Sequence, residues 1–170
     1  MPGDPSTEER PSLLYATIGA LRSTLVAELH DYWRSKLRGR TMPAPADIDP
    51  TEIPQLLPSI IIAEYVGAPV RVRYRLVGTS QVYYNGLDFT GLHLDEIDFG
   101  IENEFVRQVH ETLRTTAAPV FGHYQWGFRD NALGFAEFGV FPLSDDCSCV
   151  TRCIGIDDFR PFEATLAKKR

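Results

Sequence analysis

Apolar and polar positions alternate between two periods along the chain. From Ser12, Leu14, Ile18, Leu21, Leu25, Leu29 and Tyr32 recur at steps of three or four. Trp33 and Leu37 extend the stripe. This predicts one long amphipathic helix over residues 12–38, N-capped by Ser12 after Pro11 and stopped by Gly39. At 1.5 Å per residue it would be about 40 Å long, more than a small sheet covers. Its first half is then expected to pack against a second copy. Gly19 marks the alternative, a break into two helices.

After a loop at 40–55 with four prolines, pinned by Ile48 and Ile53, the period changes. Ile60-Ile61-Ile62-Ala63 reads as a short buried strand within 56–65. Gly67-Ala68-Pro69 reads as a hairpin into a strand over 70–77. There Val70, Val72, Tyr74 and Leu76 alternate with Arg71, Arg73 and Arg75. Residues 80–87 suit a short helix, and Asp88-Phe89-Thr90-Gly91 a turn. A second clear helix is predicted over 101–116, with Phe105, Val106, Val109 and Leu113 as its stripe. Glu102 and Glu104 lie in its first turn, where negative charge is favourable. Three strands follow, at 120–128, 133–143 and 149–157. Arg129-Asp130-Asn131 and Ser144-Asp145-Asp146 are the turns between them. Residues 1–11 are expected to be disordered, and 161–170 to form a tail, frayed or disordered over 164–170. The order of elements is an α+β plan, with five antiparallel strands and helices gathered between the second and third.

Composition narrows the function. The 170-residue chain is 44% hydrophobic with a formal net charge of −6 and a pI near 5.2. A nucleic-acid binder usually concentrates positive charge, so the balance argues against one; Arg71, Arg73 and Arg75 are a local exception. No run of 18 apolar residues occurs, so no membrane span is expected. The polar N-terminus lacks a signal-peptide core, and three cysteines suit a reducing compartment, so the expected location is cytoplasmic. Cys147, Cys149 and Cys153 do not form a metal site by spacing: a fourth ligand is missing locally, and Cys149 and Cys153 would stand roughly 13 Å apart along one strand. G-x-S-x-G, P-loop and H-E-x-x-H motifs are absent, and no catalytic residue is assigned. Asp157-Asp158 reads as a solvated strand end.

Several residue patterns together resemble a known family. They are Tyr32-Trp33, Pro43, Asp49-Pro50, an apolar strand after Leu57-Pro58, Tyr74-Arg75-Leu76-Val77-Gly78-Thr79, and Asp88-Phe89-Thr90-Gly91. With the element order, they resemble PAS domains over roughly residues 28–159. The likeness is to a bacterial subfamily, mainly of alphaproteobacterial single-domain proteins. The resemblance implies a PAS-like five-stranded antiparallel sheet with a helical crossover. It also implies a cytoplasmic sensory or regulatory module, not an enzyme, homodimeric through the long N-terminal helix. Output is then expected through contact with an unidentified protein partner, since no output domain follows. PAS domains bind haem, flavin, small metabolites or nothing, so the cofactor is left unknown. A light-sensing flavin–cysteine adduct is not expected, because residues 70–116 contain no cysteine.

Candidate binding residues cluster at the second strand and beyond. Tyr74, Tyr83, Tyr84 and Phe89 are candidates for the wall of a pocket under the short helices. Arg75 has a guanidinium suited to a carboxylate or phosphate, but strict alternation makes it Tyr74's rival for the inside. His93, His110 and His123 are the histidines available to a cofactor, with Trp126 on the strand face opposite His123. The binding set is therefore Tyr74, Arg75, Tyr84, Phe89, His93, His123 and Trp126, with no metal. The alternatives are a ligand-free interaction scaffold with a filled core, and a small α+β enzyme.

Overall fold

Six antiparallel strands form one sheet in the order β1-β4-β5-β6-β2-β3. The computed structural model describes residues 12–127 and 133–160. The expected disordered segment at 1–11, the turn at 129–131 and the tail at 161–170 lie outside the described residues. The strands are β1 (Leu13–Tyr15), β2 (Ile60–Val66), β3 (Arg71–Val77), β4 (Val120–Gly127), β5 (Leu133–Leu143) and β6 (Arg152–Asp158). Helix α1 spans Thr24–Ser35, α2 Thr79–Asn85 and α3 Asn103–Thr116. Short 3-10 turns fill the crossover between α2 and α3, at Leu94–Glu96 and Gly100–Glu102.

The fold class stands as expected from sequence, and the long N-terminal helix does not. Residues 13–15 are a sixth strand paired with β4. Ile18–Ala20 is a 3-10 turn, and α1 starts only after Ser23, whose hydroxyl accepts from Val26 N–H at 3.2 Å. The physical reason lies in alternation: Leu14 packs into one core and Tyr15 into the other, across the sheet. A stripe with three- and four-residue steps cannot distinguish that arrangement from helix over so short a run.

The same correction applies to the proposed dimer seam. Val26, Leu29 and Trp33 of α1 are buried against Phe121, Phe141, Leu143, Ile154 and Ile156 of the sheet. Trp33 Nε1 donates to the Pro142 carbonyl at 2.9 Å. Burying each such side chain contributes about 1.5–3 kcal/mol. The stripe is consumed within the chain. Two carboxylates fix where α1 begins. Glu137 accepts from Arg22 N–H at 3.0 Å and Ser23 N–H at 2.6 Å. Asp158, paired across the strands with Glu137, accepts from Ser23 Oγ at 2.6 Å and is gripped by the Arg160 guanidinium. Negative charge at a helix N-terminus is favoured by the unpaired N–H groups there.

The opposite face of the sheet carries the second core. Ala63, Tyr74, Val120, Tyr124, Ala136, Phe138 and Cys153 meet Val109 and Leu113 of α3 and Phe89 of the crossover. A bulge decides which residues of β3 point there. Ile62 pairs with Leu76 but Ala63 pairs with Tyr74, leaving Arg75 as the extra residue. Strict alternation therefore fails at Arg75. Tyr74 and Val77 face the core, while Leu76 is turned outward and 41% exposed.

The entry to α2 is a close approach of backbones. Gly78 N–H donates to the Ile60 carbonyl at 2.8 Å. A Cβ at Gly78 would lie 2.3 Å from the Pro58 carbonyl oxygen and 2.6 Å from that of Leu57. Gly78→Ala is expected to destabilise the domain by about 2–3 kcal/mol, since the obstacles are backbone atoms and cannot rotate away. Denaturant unfolding monitored by far-UV circular dichroism measures it; a loss under about 0.5 kcal/mol would contradict the close contact.

Candidate functional site

Between the sheet and α2/α3 lies a cavity of about 90 Å³. Its walls are largely apolar: Ile61, Phe89, Phe99, Phe105, Val109 and Phe138 are prominent. Small residues on β6 make room for it. Cys153 and Gly155 share the inner face with Asp157, while Ile154 and Ile156 alternate onto the α1 side of the strand. Most of the polar groups are at two ends.

At one end, Tyr65 Oη lies 3.0 Å from His110 Nδ1, with Cys153 beside it. Burial pushes the His110 imidazole down to about 4, so it is neutral at ordinary pH. Burial raises the Cys153 thiol to about 11 and the Tyr65 and Tyr74 phenols above their usual value. None of these groups carries charge near neutrality.

At the other end, Asp157 is surrounded by protein but keeps accessible surface, because its carboxyl borders the cavity. Burial raises it to about 7, against the opposing effect of hydrogen bonds from Gln81 and Tyr124. Gln81 is fully buried in α2. Its Nε2 donates to the Ser59 carbonyl at 2.9 Å, which fixes the orientation of the amide. Gln81 Oε1 is buried and has no partner. Such an atom is rare in a native interior and costs about 1–3 kcal/mol if left unsatisfied. Glu102 also borders the cavity, and its Oε2 accepts from Ser12 Oγ at 2.6 Å.

The residues predicted from sequence divide sharply. Tyr74 and Phe89 line the cavity, their rings T-shaped with centroids 4.8 Å apart. His110 lines it too. Arg75 does not: the bulge places it on the outer face, half exposed, 3.7 Å from Glu64. Glu64 there also meets Arg73 and Arg152, the latter at 3.9 Å. Tyr84 stacks on Phe159 with centroids 4.3 Å apart and is not among the lining residues; Tyr83 is exposed. His93 sits outside, 3.0 Å from Glu96 in the crossover. His123 is on the α1 face of β4, where its Nδ1 meets Tyr15 Oη at 2.8 Å. Trp126 lies opposite Gly134 in β4, and its side chain is outside the described residues.

Sequence reasoning missed Gln81, Asp157, Cys153, Tyr65 and Glu102. Asp157 is no solvated strand end, and Asp158 is 2% exposed. The available signal was the small-residue alternation of Cys153, Gly155 and Asp157 on one face of a strand that is apolar on the other. Among the described residues, no group of three or more His, Cys, Asp or Glu side chains is placed to hold a metal ion.

With sheet, crossover and cavity in place, comparison with known proteins gives the class. The PAS domain family matches residues 21–156, and the chain belongs to that family. Curated proteins yield no match. Among solved structures, the light state of the blue-light photoreceptor Aureochrome1 LOV is similar at TM-score 0.47 and 10% identity, over 70% of this chain and 95% of that one. A PAS domain from Colwellia psychrerythraea is similar at TM-score 0.46 and 10% identity, over 64% of this chain and 93% of that one. An RNA-binding light-oxygen-voltage receptor follows at TM-score 0.43 and 14% identity, over 75% of this chain and 40% of that one.

The two shifted groups act on stability in opposite directions. Asp157 has a raised folded pKa, so its stabilisation is complete below about 4 and lost as pH rises through about 7. His110 has a lowered folded pKa, so its stabilisation is present above about 6.5 and lost as pH falls toward 4. Asp157→Asn is therefore expected to gain on the native protein by on the order of 3 kcal/mol between pH 4 and pH 7, at about 1.4 kcal/mol per pKa unit. His110→Gln is expected to gain in the reverse sense, at the acid end. Urea unfolding at several pH values tests both; parallel profiles for variant and native protein would refute the assignments.

Proposed function

We propose that the domain is a sensory module that binds a small molecule in the cavity between sheet and helices, and signals through protein–protein contact. The observation that carries this reading is the cavity with an orphaned, fully buried acceptor, Gln81 Oε1, in its wall. A filled-core scaffold would have no reason to keep that atom unpaired. The PAS family membership supports a regulatory rather than catalytic role.

The cavity constrains the cofactor. At about 90 Å³ it is smaller than the 150 Å³ or so that admits benzene in an engineered apolar cavity. A flavin ring or a porphyrin would need the crossover to move. A colourless ligand is therefore the preferred reading, and the absence of cysteine from residues 70–116 supports it against adduct photochemistry.

The protein is proposed to be cytoplasmic and bacterial; among the described residues no helix is long and apolar enough to cross a membrane. It is proposed to form a homodimer through its N-terminal region. The apolar stripe of α1 is covered, so the contact is assigned to the edge near β1, where Leu13 is 52% exposed. Arg73, Arg75 and Arg152, gathered around one glutamate, disfavour a basic protein partner at the other edge.

Native and denaturing mass spectrometry of the purified protein, with an absorption spectrum, tests the central claim. The expected result is a low-mass molecule released on denaturation and no visible absorption. A native mass equal to the bare chain, unchanged after incubation with metabolite extracts, would favour the ligand-free scaffold.

A further inference from the structure

The ionisable groups at the Asp157 end are all acids: Asp157, Glu102 and Tyr124. Gln81, in the cavity wall, has in Oε1 a buried acceptor without a partner, while its amide and the Tyr124 hydroxyl donate to Asp157. Asp157 presents a carboxyl there, and Glu102 presents a second. The Tyr124 phenol lies within electrostatic reach of both and is raised by them as well as by burial. Other titratable side chains facing the cavity are Tyr74, His110 and Cys153, with Tyr65 behind them, and none is cationic at neutral pH. Among the described residues, the lining holds two carboxyls and no lysine or arginine. The rest of the wall is aromatic, with Phe89, Phe99, Phe105 and Phe138 presenting π surfaces.

An anionic ligand would meet two carboxyls with nothing to balance it. A neutral amide would satisfy Gln81 but leave the acidic pair uncompensated. A cation with N–H donors satisfies all three acceptors and gains from the aromatic faces. We infer that the cavity binds a small organic amine in its ammonium form, with its N–H donors on Gln81 Oε1, Asp157 and Glu102 and its apolar body among the phenylalanines. The volume, smaller than one that admits benzene, sets the size at about four or five non-hydrogen atoms. This rests on the reading of the cavity as a ligand site and specifies the ligand's class.

Proton linkage supplies a signature. In the free protein Asp157 is half protonated near pH 7. A bound cation favours its carboxylate, so binding releases a proton and affinity rises with pH before levelling off above about 7. Between pH 6 and pH 8 the ionised fraction of such a group changes by about tenfold.

Three probes of similar size and different charge make the test: n-butylammonium, butyramide and butyrate, titrated calorimetrically into the full chain at pH 6 and pH 8. The expected result is millimolar or tighter binding of n-butylammonium, about tenfold stronger at pH 8, with proton release detected by changing the buffer. Asp157→Asn should weaken binding at least tenfold and remove the pH dependence. Glu102→Gln should weaken it to a lesser degree. Circular dichroism of both variants checks that they are folded. Butyramide or butyrate binding as well as the amine would overturn the amine assignment while leaving the cavity as a ligand site. If no probe binds, the molecule released on denaturation decides: an amine supports the inference, a non-amine overturns it. Finding neither binding nor a released molecule overturns both readings.

Discussion

The close approach of Gly78 to the Leu57–Ser59 turn sets where the helical layer begins and what it can enclose. Only hydrogen fits at that Cα, so the chain leaves β3 directly over the start of β2. The Gly78–Ile60 and Gln81–Ser59 bonds then lock the first turn of α2 to that strand. Everything downstream in the crossover inherits this placement. Phe89 returns under α2 to meet Tyr74, and the 91–93 segment bonds back to Tyr74 through Gly91 N–H and the Leu92 carbonyl. The cavity is the space left when rigid entry and rigid return are joined above a strand of small residues. Its polar end depends on the same lock, because the bond to Ser59 anchors the Gln81 amide in the cavity wall.

The domain has two cores with different tasks. The α1 side is densely apolar, and its polar groups are satisfied: Glu137 and Asp158 each accept several hydrogen bonds. The α3 side tolerates an unpartnered acceptor and a carboxyl held near its midpoint of protonation. Burying such groups costs free energy that a packed apolar interior would not incur.

Much of this was legible in the residues. Five of the strands, the second helix, the crossover and the PAS likeness follow from periodicity and the segment from Tyr74 to Gly91. Tyr74 and Phe89 were readable because aromatic residues concentrate there. Three things were not. The N-terminal stripe matched a helix because three- and four-residue steps over Leu14, Ile18 and Leu21 also suit a strand followed by a turn. Alternation put Arg75 opposite Tyr74 but grouped Leu76 with Tyr74, and it carries no mark of the bulge that turns Leu76 outward. Gln81 and Asp157 are single polar residues whose importance comes from which atoms their neighbours leave unpaired. That information exists only after long-range pairing brings α2, β2 and β6 together.

The two adjacent aspartates on β6 tie the faces to one another. Asp157 turns inward to the cavity, and one peptide bond later Asp158 turns outward to Ser23 and Arg160 at the start of α1. A strand cannot twist under one of them without reorienting the other. Any free energy that couples the cavity to the helix anchor through this strand would be reciprocal. If occupancy of the cavity alters how firmly α1 is held, then a partner that grips or releases α1 must alter affinity in the cavity by the same factor. Sensing and being sensed would be the same measurement, made from opposite sides of one strand.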